Sequence, residues 1–115
     1  LYEGMASVAG AATCPEFGYG FRAYPFAERL LGYVNARVYD VGTAQGVMDV
    51  PKLWRGAHPL NVMHDWFSKA IRMTFSRPTP LQIAGEAVGI RQTVEYRAAD
   101  RLVEALDWHQ LERLG

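Results

Sequence analysis

Few residues of this chain are placed where catalysis could use them, and Glu86 is the most suggestive. It follows Ala84-Gly85, and a glycine between two extended segments is typical of a tight turn. The Glu86 carboxylate is therefore predicted to project from a hairpin, where it could orient a hydroxyl group or accept its proton. An acid that simply flanks a turn would occupy the same position, so the residue alone does not decide between the two interpretations.

The other residues of catalytic type show no pattern that predicts a site. His58, His64 and His109 lack the spacing of metal ligands, and the adjacent His64 and Asp65 are predicted to point apart on the surface. The single cysteine, Cys14, excludes an internal disulfide and fits a reducing compartment. We expect it to be a small, buried, apolar side chain.

Composition favours one folded domain without a general attraction for polyanions. Hydrophobic residues make up 50% of the chain and charged residues 21%, which is typical of a packed core rather than of disorder. Lysine and arginine together number 12, as do aspartate and glutamate, so the net charge is zero and we expect no nucleic-acid partner. The longest uncharged stretch, Gly4 to Pro15, is shorter than the about 20 apolar residues that span a membrane.

The first residues, Leu1-Tyr2-Glu3-Gly4, include neither an initiator methionine nor the basic region of a signal peptide. We therefore expect the chain to be cut from a longer protein. Such a cut would leave an unpaired sheet edge or an exposed apolar face near Met5 to Ala12. A missing segment or a second copy of the chain could cover it.

Alternation of apolar residues with period two predicts a mainly β domain with antiparallel pairing over residues 1–115. The predicted extended segments are Gly4–Ala12, Phe17–Tyr24, Val34–Tyr39, Lys69–Ser76 and Ile90–Tyr96. Val34, Ala36 and Val38 should face inward and Asn35 outward. The segment 77–80, which contains two prolines, is predicted to end a strand and turn the chain.

One or two short helices complete the predicted fold. The first covers about 43–55, with Thr43 as its cap and with Val47, Val50 and Trp54 on one packing face. The second covers about 107–114 and begins at a capping box formed by Asp107 and the glutamine three residues later.

Three segments, in this order, resemble the diacylglycerol kinase-like lipid kinases, a family related to the NAD kinases. Residues 17–27 resemble the family's glycine-rich strand that runs into a Pro-x-Ala element. Leu31–Asn35 stands where the family has Asp-Gly-x-Leu-Asp. Pro80–Gly89 is similar to the family's Pro-x-Gln-x-Asp-Gly-Glu-x-x-Gly hairpin. The order and spacing of the segments, rather than any single motif, carry the resemblance.

The resemblance implies that the chain is the C-terminal, β-sandwich-like domain of a two-domain lipid kinase. In such kinases a separate N-terminal domain, which this sequence lacks, holds the nucleotide. The C-terminal domain forms one wall of the cleft in which ATP and Mg²⁺ serve to phosphorylate a lipid hydroxyl group. The implied partners are that N-terminal domain and a lipid substrate at the membrane surface. A homodimer through the open sheet edge is a separate possibility that does not come from the resemblance. The implied location is the cytoplasm, at the membrane periphery, and this chain alone is expected to bind no cofactor.

Carried over residue by residue, the resemblance leaves the chain poor in catalytic groups. The family's catalytic Asp falls on Ala84, which can neither accept a proton nor bind a metal. Glu86 remains as the candidate catalytic residue, and Gly85 and Glu86 as the candidates near the nucleotide. Loss of a positioned general base typically lowers a rate by about 10²- to 10⁴-fold.

The family's metal-binding motif has also lost its acidic residues in this sequence. Its two Asp residues fall on Leu31 and Asn35, so that only Asn35 keeps an oxygen ligand. Glu28 and Asp40 flank the motif and are the candidate substitutes, giving Glu28, Asn35 and Asp40 as the metal set.

Three functions therefore remain open. The chain is one wall of an active lipid kinase, or a catalytically degenerate relative kept for lipid binding or regulation. The third alternative sets the family aside and treats the chain as a small β domain with a structural or dimerisation role.

Overall fold

The computed structural model describes residues 2–16, 21–55 and 63–100, which form two antiparallel sheets and one α-helix. The three-stranded sheet has the order β1-β2-β3, with β1 Val8–Ala12, β2 Val34–Tyr39 and β3 Met63–Ser68. The second sheet is a long two-stranded hairpin of β4 Ala70–Ile83 and β5 Glu86–Arg97. A 3₁₀ turn, Ala27–Arg29, precedes β2. Helix α1, Thr43–Trp54, lies between β2 and β3 in the chain. The predicted mainly β, antiparallel character is confirmed.

Strand β2 lies at the centre of the three-stranded sheet and is buried along its whole length. The inward prediction for Val34, Ala36 and Val38 is confirmed. The outward prediction for Asn35 is wrong, because its exposed fraction is 0%. Asn35 shares its face with Arg37 and Tyr39, and that face is covered by the chain around Ala23 and by α1.

Helix α1 begins and ends close to the predicted bounds. Its N-cap residue is Gly42 rather than Thr43, and the helix continues through Pro51. Val47, Val50 and Trp54 are exposed by 68%, 45% and 49%, so the face predicted to pack is open in the described structure. The predicted helix at 107–114 lies outside the described residues, and within them no helix has the length and apolarity to cross a membrane.

The hairpin runs further than predicted. Residues 77–80 do not turn the chain, because β4 continues through both prolines to Ile83. In a two-stranded ribbon each strand has an unpaired side, which tolerates a residue without an N–H group. The pairing also shifts register between Thr74 and Thr79, where a run of β4 residues has only Gln92 opposite it. The predicted alternation is confirmed at the root of the hairpin, where Ile71 is half-buried and its neighbours are exposed.

Strand β1 forms an outer edge of its sheet among the described residues, as predicted for this part of the chain. Met5 is exposed by 80% and Val8 by 63%. Cys14 follows the strand and is exposed, so the prediction of a buried thiol is wrong. The strand ends at Ala12, and residues 13 and 14 are both exposed.

Candidate functional site

The turn of the hairpin consists of two residues in an unusual backbone conformation. Ala84 has φ +49° and Gly85 has φ +88°, and Ile83 pairs with Glu86 across them. Two successive positive φ values are the requirement of a type I′ turn, whose twist matches that of the flanking strands. The prediction that Gly85 provides a positive φ is confirmed.

Ala84 is the strained member of this turn. A Cβ atom in the left-handed region costs roughly 1–2 kcal/mol, which glycine avoids and which Asn or Asp tolerates better. Asn or Asp at position 84 would relieve this strain through backbone geometry alone.

The Glu86 carboxylate is exposed on the first residue of β5. Within the described residues it makes no hydrogen bond or ion pair, and Glu86 lines neither of the two grooves described below. It is therefore free to contact a ligand, but no side chain among the described residues holds it in position. Gly85, its neighbour, has open space where a side chain would begin.

The three candidate metal ligands do not come together. Glu28 forms an ion pair with Arg22 at 3.1 Å, whereas Asp40 lies 3.5 Å from the hydroxyl oxygen of Tyr2. Asn35 lies in β2, and Asp40 directly follows the last residue of that strand, so the two are five residues apart, or roughly 16 Å at about 3.3 Å per residue of extended chain. One ion cannot bridge that distance. No cluster of three or more His, Cys, Asp or Glu side chains suitable for a metal exists in residues 2–16, 21–55 and 63–100.

Sequence reasoning missed a buried ion pair inside the three-stranded sheet. Arg37 donates from Nε to Oδ1 of Asp65 at 2.8 Å and from Nη2 to Oδ2 at 2.9 Å, and from Nη1 to the carbonyl oxygen of Ala23 at 2.8 Å. The Arg37 and Asp65 side chains are exposed by only 6% and 12%, so the surface prediction for Asp65 is wrong. The two residues are exact cross-strand partners of β2 and β3, and only knowledge of that register could have revealed the pair.

Asn35 extends this pair into a small polar network. Its Nδ2 donates to Oδ1 of Asp65 at 3.1 Å and to the carbonyl oxygen of Trp66 at 3.3 Å. Its Oδ1 is buried without a hydrogen-bond partner among the described residues. Beside the network, burial raises the pKa of Tyr24 to about 12, with Tyr96 and Asp65 adding to the rise and Arg37 opposing it. Tyr24 is therefore uncharged near neutral pH.

A second polar group joins α1 to β2. The Tyr39 hydroxyl donates to Oδ2 of Asp49 at 2.9 Å, while Oδ1 of the buried Asp49 accepts from Gln45 at 3.0 Å and Lys52 at 3.4 Å. The hydrogen bond from Tyr39, followed by those from Gln45 and Lys52, lowers the pKa of Asp49. Burial and the Asp49 hydrogen bond raise the pKa of Tyr39 to about 12. Near neutral pH, Asp49 is therefore ionised and Tyr39 is protonated. Their hydrogen bond holds α1 on the three-stranded sheet.

An apolar groove of about 360 Å³ opens beside this joint, between α1 and the start of β1. We call it the α1 groove, and its wall is formed chiefly by Val8, Val41, Val47, Val50 and Leu53. None of its lining residues in the described part of the chain is charged, so this lining suits apolar groups. The second groove, at the root of the hairpin, is lined by the exposed side chains around Arg72 and Glu95.

Comparisons with known proteins identify no relative: no family model, no curated protein and no solved structure matches this chain. The fold itself therefore defines the class, a mainly β chain of two antiparallel sheets and one helix. Its candidate site is the turn 84–86 at the end of the hairpin.

Proposed function

We propose that this chain is the β-rich wall domain of a lipid kinase-like protein, whose hairpin borders the cleft for ATP and a lipid hydroxyl group. The observation that carries the proposal is the hairpin at residues 80–89. The resemblance requires a tight turn there with an exposed glutamate directly after it. Ala84 and Gly85 have the paired positive φ values of such a turn, and Glu86 follows them at the exposed start of β5.

The proposal includes features finer than the described fold. The two sheets pack as a β-sandwich, and residues 107–114 form a terminal helix. A nucleotide-binding domain, encoded upstream in a longer protein, supplies the other wall and the phosphate-binding loop. That protein acts in the cytoplasm at the membrane surface, where its lipid substrate lies.

In the proposed enzyme, this chain and the nucleotide-binding domain contribute different catalytic groups to the cleft. Phosphoryl transfer requires an oriented hydroxyl group and cations that neutralise the phosphates. The described acids of this chain do not fit a magnesium ion, since Asn35 and Asp40 lie far apart and Glu28 is paired with Arg22. In the proposed enzyme the metal ligands and the general base therefore come from the other domain, and Glu86 of this chain orients groups in the cleft.

The test uses the longer parent protein with labelled ATP, Mg²⁺ and vesicles that contain diacylglycerol. Replacing Glu86 by Gln should lower the rate of phosphate transfer by about 10-fold or more, because a charged hydrogen-bond acceptor in the cleft is lost. Glu95→Gln is the matched control, since Glu95 lies on the same strand but pairs with Arg72 and Arg97. Equal rates for the Glu86 variant, the control and the unmodified protein would contradict the proposal.

The missing carboxylate at Ala84 favours a second candidate, a catalytically degenerate module that binds or senses lipid. Ala84→Asp should raise the rate of transfer if the chain belongs to a weakened kinase, and leave it at zero in a pure binder. Ala84→Asn is the matched control, because Asn relieves the same turn strain without providing a base. Vesicle binding without any transfer by either variant would support the degenerate module.

A further inference from the structure

Charge is distributed unevenly along the chain, although its total is zero. The two strands of the hairpin contain four arginines and two glutamates, so they carry a net charge of +2 and the remaining residues a net −2. Near the root of the hairpin, Glu95 binds both Arg72 and Arg97. The two arginines that remain, Arg77 and Arg91, lie farther out along the strands.

Arg77 and Arg91 are exposed at the same level of the hairpin. Arg91 pairs with Thr79, which follows Arg77 by two positions on β4. Arg91 donates from Nη1 to the carbonyl oxygen of Ile90 at 2.8 Å, and among the described residues neither arginine contacts a carboxylate. Each guanidinium group therefore keeps N–H donors that an external anion can use.

The chain between these two arginines is mostly aliphatic. We call residues 77–91 the outer arm, which contains no aromatic residue and no lysine, and Glu86 as its only acid. Ile83 and Ile90 are exposed by 56% and 60%. Exposed aliphatic side chains beside arginines without an acidic partner suit an anionic bilayer. The aliphatic groups can enter the boundary of the acyl chains while the guanidinium groups bind the lipid phosphates.

Other anionic partners fit the outer arm less well. Proteins that bind single-stranded nucleic acid stack its bases on aromatic side chains, and the outer arm has none. Binding to a duplex depends on phosphate contacts, which exposed isoleucines do not strengthen. A free phosphate or nucleotide needs a concave site with converging donors, but Arg77 and Arg91 line neither of the two described grooves. Of these partners, only an anionic bilayer uses the arginines and the isoleucines together.

We propose that the outer arm docks on an anionic membrane surface, with Arg77 and Arg91 at the lipid phosphates and Ile83 and Ile90 at the boundary of the acyl chains. Docking of this kind brings the turn 84–86 to the level of the headgroups, where the hydroxyl group of a lipid acceptor lies. The inference deepens the proposed function and rests on it for the identity of that acceptor. Docking itself requires no nucleotide, so it can be tested separately from phosphate transfer.

The first experiment measures co-sedimentation of the full 115-residue chain with vesicles, in the absence of nucleotide. Vesicles of phosphatidylcholine mixed with phosphatidylglycerol should bind the chain at least about 10-fold more tightly than vesicles of phosphatidylcholine alone, and added salt should weaken this binding. Inorganic phosphate should displace no more of the chain than potassium chloride of equal ionic strength. Equal binding to both kinds of vesicle, no binding to either, or specific displacement by phosphate would overturn the proposal.

The arginines are tested by a double variant, Arg77→Gln with Arg91→Gln. Binding to the anionic vesicles should weaken by about 5-fold for each arginine, or about 25-fold together. Arg72→Gln with Arg97→Gln is the matched control, since it removes the same charge near the root, where Glu95 already binds both arginines. We expect this control to change binding by less than about 3-fold, because the root lies more than a Debye length from the outer arm. Equal losses in both double variants would show that the outer arm is not the docking element.

The isoleucines distinguish a membrane from any other polyanion. Ile83→Ser with Ile90→Ser leaves every charge in place and changes only exposed side chains, yet it should weaken binding to the anionic vesicles at least about 10-fold. Unchanged binding by this variant would identify a purely electrostatic surface and overturn the membrane as its partner. Glu86→Gln separates this proposal from the proposed function, because it should lower phosphate transfer by the longer parent protein while vesicle binding persists. Loss of vesicle binding in Glu86→Gln would contradict the assignment of docking to the arginines and isoleucines.

Discussion

The three-stranded sheet and the hairpin use the same kind of charge pair in opposite surroundings. In the sheet, Arg37 and Asp65 form a bidentate pair that is almost wholly buried. In the hairpin, Arg72 and Arg97 both contact Glu95, and the two arginine side chains are exposed by 70% and 73%. We expect the buried pair to contribute far more to stability than the exposed set, because water screens the second set and not the first.

The two regions also differ in how accessible their polar side chains are. The three-stranded sheet holds the buried polar groups and the joint with α1, whereas the hairpin ends in the exposed turn with Glu86. A side chain that must meet a ligand has to remain accessible, and the hairpin provides this.

Breaking the buried pair should have the largest effect. Asp65→Ala leaves the Arg37 charge buried without its carboxylate and is expected to lower the free energy of unfolding by about 3–5 kcal/mol. Urea denaturation followed by circular dichroism measures this loss. Glu95→Gln is the control in the hairpin, and its denaturation midpoint should stay near that of the unmodified chain. Equal losses for both variants would show that burial does not distinguish the two regions.

The joint between α1 and β2 should respond to a smaller degree and in a pH-dependent way. Tyr39→Phe removes the hydrogen bond to the Asp49 carboxylate and is expected to cost about 1–2 kcal/mol. Because the pKa of Tyr39 rises from 10.0 to about 12 on folding, the folded state loses stability as pH rises from about 10 to 12. Tyr39→Phe should remove part of that loss, which unfolding at pH 8, 10 and 11.5 would reveal. An alkaline loss of the same size in both proteins would rule out a contribution from Tyr39.

The turn should show the smallest effect, and with the opposite sign. Ala84→Asn places a residue that tolerates positive φ in the turn and is expected to raise the free energy of unfolding by about 0.5–1 kcal/mol. Ala87→Asn, at an exposed position with ordinary backbone geometry, is the control and should not stabilise. A gain that appears equally in the control would mean that the turn is not the source of strain.

Local patterns in the sequence predicted much of the fold correctly. The bounds of β2 and the extent of α1 follow from apolar periodicity, and the turn at Gly85 follows from glycine chemistry. The prolines at 78 and 80 misled the prediction, because proline excludes a central strand but not a two-stranded ribbon. Residues 107–114 remain a prediction, since they lie outside the described residues.

Contacts between distant segments explain the remaining differences. Asn35 looked like an outward residue because alternation alone cannot show that both faces of a strand are covered. Asp65 looked like a surface acid because its partner, Arg37, is 28 residues away in the chain. The separation of Asn35 from Asp40, in contrast, follows from the sequence itself. The segment Val34–Tyr39 is predicted to be a strand, and five residues of extended chain span too great a distance for both residues to bind one ion.

The register shift in the hairpin has a mechanical consequence. Between the pairs Thr74–Thr93 and Thr79–Arg91, β4 carries four residues and β5 only one, so the surplus backbone must arch away from the ladder. The arch divides the hairpin into two ladders that can open one at a time. We therefore expect substitutions around Glu86 to disturb the pairing beyond the arch more than the pairing at the root of the hairpin.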